Sequence, residues 1–278
     1  MKQSVVFEEP CFHLAHTFEN GQCFRWNVCG ENSYEAVVRG QVLRIRGVQG
    51  AFLLEGSSLD EASWREYFDL STDYREIQKR LNRDTVLRNA IAAGDGMRIL
   101  RQEPWEVLVS FIISQNNHIA RIKKIIEALC RRWGDKIFFD GRCYYAFPTP
   151  QQLSAATVEE LMACGAGYRA PYIAAIARAV AAKKLEPDAL AAEEYSVCRQ
   201  KLLDQLGIGP KVANCILLFA YHYFDAFPVD TWVKKTVREL YAMPEATEKQ
   251  IESFAQQRFG KYAGMAQQYL FFYGRTGL

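Results

Sequence analysis

The hydrophobic pattern of this chain changes period near residues 70 to 85, which limits the fold to a sheet followed by a helical body. From Tyr34 to Leu54 the apolar residues alternate or fall in short runs. These are Ala36-Val37-Val38, a turn at Arg39-Gly40-Gln41, Val42-Leu43-Arg44-Ile45-Arg46, a turn at Gly47, and Ala51-Phe52-Leu53-Leu54. Period two over such short segments predicts an antiparallel meander. Gly21-Gln22-Cys23-Phe24-Arg25-Trp26 reads as a turn feeding another strand. After Asp69 apolar residues recur at i, i+3 and i+4, and helices dominate to the end.

Pro104 opens a helical segment that runs through Cys130, and Pro148 to Pro150 break the chain before another helix. Thr157 to Met162 form a helix before the loop Gly165-Ala166-Gly167. Further helices are expected over 171–183, 193–206, 210–222, 231–241, 247–258 and 262–273. The result is an α+β fold with an antiparallel sheet domain over 1–82 and a larger helical domain over 83–278.

Composition removes several function classes. Of 278 residues 49% are hydrophobic and 13% aromatic, with no Pro/Gly/Ser tract, so the whole chain is expected to fold. A net charge of +2 is too small to imply a nucleic-acid or membrane partner by itself. The clusters Arg121/Lys123/Lys124, Arg131/Arg132 and Lys234/Lys235/Arg238 stand on helical segments and fit solvated faces as well as basic patches. Eight scattered cysteines contain no C-x-x-C pair, so no zinc ribbon, redox motif or other metal site is expected. With no leader-like start and no run of about 18 apolar residues, the protein is expected to be reduced, cytoplasmic and free of membranes.

The chemistry concentrates in Leu202-Leu203-Asp204-Gln205-Leu206-Gly207-Ile208-Gly209-Pro210-Lys211-Val212-Ala213-Asn214-Cys215, the centre of a helix-hairpin-helix over about 196–222. Gly207 and Gly209 permit positive φ and close approach of backbone amides to an outside group, and Pro210 suits the first turn of the next helix. Amides at a helix start suit a phosphate, although an ordinary tight turn between helices meets the same pattern. Lys211 falls in that first turn, where the helix dipole disfavours an ammonium. A lysine that sheds its proton there is a carbon-directed nucleophile able to form a Schiff base; a solvent-facing lysine is the simpler alternative. Nineteen residues on, Phe227-Pro228-Val229-Asp230 places a carboxylate at the N-cap of the next helix. A carboxylate held by backbone amides can also stabilise a cation developing nearby.

The helix-hairpin-helix with its lysine, followed by Pro228-Val229-Asp230, resembles the signature of the helix-hairpin-helix DNA glycosylase superfamily. Four further motifs resemble the 8-oxoguanine DNA glycosylase family in order. They are Gly21-Gln22-Cys23-Phe24-Arg25-Trp26, Phe111-Ile112-Ile113-Ser114-Gln115-Asn116-Asn117-His118-Ile119-Ala120-Arg121, Gly167-Tyr168-Arg169-Ala170 and Ala263-Gly264-Met265-Ala266-Gln267. The resemblance covers nearly the whole chain.

That resemblance implies a base-excision enzyme acting as a monomer on double-stranded DNA containing 8-oxoguanine, with no cofactor. It implies that Lys211 attacks the sugar C1′ and that Asp230 supports charge on the sugar and departing base. A pocket formed by Gly21, Cys215, Phe219, Pro228, Gln267 and Phe271 would take the extruded purine, the Gly21 carbonyl accepting from an N7–H that only the oxidised guanine carries. Asn116, Arg121 and Arg169 would face the orphaned cytosine, Tyr168 would wedge into the vacated stack, and Asn117, Gly207, Gly209 and Trp232 would complete the DNA contacts. The chain departs from the family in carrying Gln205-Leu206 where Leu-Pro is common, Trp232 where eukaryotic members have a histidine, and Phe219 in place of a methionine. Two other readings use the same residues: a non-catalytic DNA-binding module, and a monofunctional glycosylase for alkylated bases that activates water through Asp230.

Overall fold

A computed structural model describes residues 2–276. Strands β1 (Gln3–Glu8), β2 (Asn27–Gly30), β3 (Ser33–Val38), β4 (Gln41–Val48) and β5 (Ala51–Gly56) form one antiparallel sheet in the order β1-β5-β4-β3-β2. The turn between β3 and β4 is the two-residue kind that matches strand twist, with Arg39 at φ 50° and Gly40 at φ 71°. Alternate positions point inward, so Phe7, Trp26, Leu43, Ile45, Phe52 and Leu54 make a core with Trp64 and Phe68. Gly21 to Trp26 form the expected turn, and the strand it feeds starts at Asn27.

Helix α1 (Leu14–Phe18) interrupts the sheet strands, and α2 (Glu61–Tyr67), α3 (Tyr74–Leu81) and α4 (Thr85–Ala93) follow them. Helical structure thus begins before the period change at Asp69, because α2 is too short to show a full apolar repeat. The body continues with α5 (Pro104–Ser114), α6 (Ile119–Trp133), α7 (Pro150–Ser154), α8 (Val158–Ala163), α9 (Ala170–Ala181) and α10 (Tyr195–Leu203). It ends with α11 (Pro210–Tyr221), α12 (Thr231–Leu240), α13 (Glu248–Phe259) and α14 (Ala263–Thr276). Helices α5 and α11 lie together at its centre, buried from Val107 to Ile113 and from Val212 to Phe219. Among the described residues no helix is long and apolar enough to cross a membrane.

Two expectations need correction. The segment from Pro104 to Cys130 is not one helix: Gln115 leaves α5 in an extended conformation, Asn116 turns left-handed at φ 44°, and His118 caps α6. The helical body also contains a hairpin of β6 (Lys136–Phe139) and β7 (Arg142–Tyr145). Phe139 of that hairpin packs with Val37 and Val42 of the first sheet, and Asp140 pairs with Arg44 at 2.5 Å.

Candidate active site

The hairpin between α10 and α11 is shaped by one glycine rather than two. Gly207 has φ +82°, and a Cβ there would stand 2.3 Å from Cγ of Tyr172, so no other residue fits. Gly209, which the sequence also permits a positive φ, is instead extended at φ −91° and ψ 178°. Its amide begins α11, and nothing lies within 4 Å of where its Cβ would be. The N-terminal end of α11 therefore presents open backbone to solvent, while Ile208 is buried beneath it.

Lys211 follows in the first turn, half-buried, with Nζ 5.8 Å from the centre of the Phe111 ring. Phe111 stacks on Phe219 with centroids 5.2 Å apart and planes 16° from parallel. Cys215, one turn after Lys211 and on the same face, is buried; burial pushes its thiol up to about 11, against the pull of the Lys211 charge. Asp230 caps α12 by accepting from the Val233 amide at 2.8 Å. Burial raises its carboxyl above the ordinary aspartate range, opposed by the amides of Val233 and Trp232 and by the charges of Lys211 and Arg275. Lys211, Cys215 and Asp230 thus stand within electrostatic reach of one another. An amine so placed can attack an electron-poor carbon, and the carboxylate can stabilise a cation forming between them.

The loop that carries Asp230 is held against α11 by Asn214, whose Nδ2 donates to the Phe227 carbonyl at 3.2 Å and to Glu252 at 2.9 Å. Pro228 and Val229 are buried in that loop. Phe111, Asn214 and Arg275 were not singled out from the sequence. Phe111 and Asn214 lie inside quoted motifs, but only three-dimensional packing shows what they touch.

Gly21 and Phe271 lie against each other. Gly21 has φ +72°, and a Cβ there would be 3.5 Å from the Phe271 ring, with Ile119 beside it. Arg275 lies over the same ring at 5.2 Å, so its charge reaches both Phe271 and Asp230. Gln267 is buried one turn before Phe271 and accepts from Gln268 at 2.8 Å; Gln268 accepts from Asn20, the neighbour of Gly21, at 2.9 Å. These bonds tie α14 to the turn that displays the Gly21 backbone.

The residues expected to face DNA lie on the α5–α6 connection and the start of α6, the turn before α9, the α10–α11 hairpin and the start of α12. Asn116 and Arg121 are exposed, and Asn117 donates to the Ile113 carbonyl at 3.1 Å. Tyr168 is 53% exposed and Trp232 43% exposed, at the start of α12. Arg169, which the resemblance assigns to the orphaned cytosine, is only 3% exposed, and its guanidinium donates to the carbonyls of Gln115, Asn116 and Ala166. A cavity of about 580 Å³ lies elsewhere, between β3, α6 and β7, and none of these residues lines it.

Residues 4–108 match "8-oxoguanine DNA glycosylase, N-terminal domain", and residues 109–261 match "HhH-GPD superfamily base excision DNA repair protein". The N-glycosylase/DNA lyase of Saccharomyces cerevisiae is 31% identical over 97% of this chain and 85% of the yeast protein. The solved structure of MBOgg1 in complex with low affinity DNA ligand has 41% identity and a TM-score of 0.95, over 98% of this chain and 95% of that one. The Clostridium acetobutylicum 8-oxoguanine glycosylase/lyase, solved with double-stranded DNA containing cytosine opposite 8-oxoguanine, has 38% identity and a TM-score of 0.94. That match covers 99% of this chain and 97% of the other. The chain belongs to the 8-oxoguanine DNA glycosylase family of HhH-GPD base excision DNA repair proteins.

Proposed function

We propose that this protein excises 8-oxoguanine from duplex DNA and then nicks the strand, with Lys211 as the nucleophile. The observation that carries the reading is that Lys211, in the first turn of α11, and Asp230, the cap carboxylate of α12, stand within electrostatic reach of each other, with the Asp230 loop tied to α11 by Asn214. The Lys211 amine attacks C1′ as the bond from C1′ to the base breaks; the base leaves with that electron pair and takes up the proton released by the attacking nitrogen. Opening of the sugar ring gives a Schiff base at C1′. Loss of a proton from C2′ then expels the 3′ phosphate, and water releases the enzyme. Ionised Asp230 offsets the positive charge that grows on the sugar.

In this reading the sheet domain over 1–82 presents Gly21, and the helical domain over 83–278 carries the nucleophile. Gly21 accepts from the N7–H of the oxidised base, Phe271 stacks on it and Gln267 bonds its edge. Cys215, Phe219 and Pro228 close the wall. Gly207, Gly209 and Trp232 hold the backbone, and Tyr168 fills the gap left by the base. Asn116, Asn117 and Arg121 face the strand opposite. One chain supplies all of these groups, which supports action as a monomer. Sodium borohydride with an 8-oxoguanine duplex tests the reading: a covalent protein–DNA adduct is expected. Free abasic product without adduct would favour a monofunctional glycosylase, and bound but intact DNA a binding module.

A further inference from the structure

Gln115 lies at the junction of three of the DNA-facing loops. It ends α5 just before left-handed Asn116, and its side-chain amide donates to the Ile112 carbonyl at 3.0 Å and to the Gly207 carbonyl of the hairpin at 3.0 Å. Its own carbonyl accepts from Nε of Arg169 at 2.8 Å, from Nη2 of Arg169, and from the Tyr168 hydroxyl at 3.3 Å. Arg169 Nη2 also holds the Asn116 carbonyl at 3.0 Å. One residue therefore touches the hairpin before Lys211, the turn that displays Tyr168, and the loop that displays Asn116 and Asn117.

The arrangement is costly to maintain. Among the described residues Arg169 has no carboxylate within 4.0 Å, although it is 3% exposed, so its charge is compensated only by carbonyl oxygens and the Tyr168 ring at 4.4 Å. A buried cation with neutral partners destabilises the fold relative to an apolar substitute. Gly207 adds a second constraint, since its left-handed conformation and close packing against Tyr172 exclude a side chain at the position whose carbonyl Gln115 reaches. Both features make sense if the relative placement of the loops matters more than stability.

We infer that Gln115 is a positioning residue that locks these three loops into one register, so that the gap-filling Tyr168 and the strand-facing Asn116 act in step with the hairpin that delivers Lys211. The inference rests on the reading that these loops hold DNA. Loops coupled this way move a base out and the nucleophile in together; uncoupled loops still bind DNA but misplace C1′.

The test is Gln115→Met, which keeps the length of the side chain and removes its donor. Single-turnover excision from an 8-oxoguanine·cytosine duplex is expected to fall by about tenfold to a hundredfold, the scale of a misplacement of roughly 1 Å. Affinity for undamaged duplex should stay within about threefold, roughly 0.7 kcal/mol. A 2-aminopurine beside the lesion, which brightens when it unstacks, should brighten less with the variant than with wild type. Arg169→Lys cuts the clamp from the other side and repeats the measurement on a second background; the double variant should be no slower than the slower single one. Wild-type excision and brightening in Gln115→Met would overturn the inference, as would a loss of duplex affinity equal to the loss of rate. Wild type is measured alongside, so its failure to excise would refute the function itself, whereas normal wild type beside a normal variant refutes only the role of Gln115.

Discussion

Phe111 and Phe219 lie face to face, 5.2 Å between centroids, with the Lys211 ammonium 5.8 Å from the first ring. The Lys211 side chain thus lies beside an aromatic stack that joins α5 to α11.

That stack gives a stability prediction. Phe219→Ala should cost about 3–5 kcal/mol in urea unfolding, because it empties a fully packed position, whereas Phe219→Met should cost under about 1.5 kcal/mol. Excision by the Met variant should stay near wild type. A Phe219→Ala loss below 1 kcal/mol would mean that the stack is not part of the core.

The hairpin glycines should separate stability from DNA binding. Gly207→Ala places a methyl group against Tyr172 in a left-handed conformation and should cost more than about 1–2 kcal/mol. Gly209→Ala has open space and an allowed backbone, so stability should change by less than about 0.5 kcal/mol while duplex affinity weakens. Unchanged affinity in Gly209→Ala would remove that amide from the DNA contact.

Asp230 predicts the acid side of the pH–rate profile. Burial raises its carboxyl, so the folded state binds that proton more tightly than the unfolded chain. Its contribution to stability is present below the unfolded value of about 3.9 and is lost as pH rises through the folded one. Catalysis needs the ionised form, so the acid limb of single-turnover excision should lie above the ordinary aspartate value. Asp230→Asn should keep the cap on α12, since Asn caps about as well, and lose most of the rate. An acid limb at the ordinary value, or an Asn variant with wild-type excision, would contradict the role.

Opposite-base choice should depend on Arg121. Its guanidinium is exposed, while that of Arg169 is spent on carbonyls, so Arg121 is the one free to donate to N3 and O2 of an unpaired cytosine. A good bidentate contact contributes about 1–3 kcal/mol, enough for a preference near tenfold or above over adenine. Selectivity unchanged in Arg121→Ala would assign it elsewhere.

The meander and most helices of the body were readable because their side chains repeat at the period of the element. Helices α1 and α2 were not, since five and seven residues carry too little repeat. The β6–β7 hairpin did leave a signal: Asp140-Gly141 between apolar runs, both at positive φ, is a two-residue turn. Lys211 and Asp230 stood out because each occupies a helix start, where local chemistry is constrained. Arg169, Asn214 and Gln115 each also bond a group between 38 and 92 positions away, and no local pattern encodes such partners.

The most direct test of the nucleophile is borohydride trapping by wild type and Lys211→Gln on an 8-oxoguanine·cytosine duplex, with binding of the damaged duplex measured in parallel. Wild type should give a covalent adduct. The variant should give none and excise nothing, with affinity within about tenfold, or roughly 1.4 kcal/mol. An adduct that survives in Lys211→Gln would contradict the account.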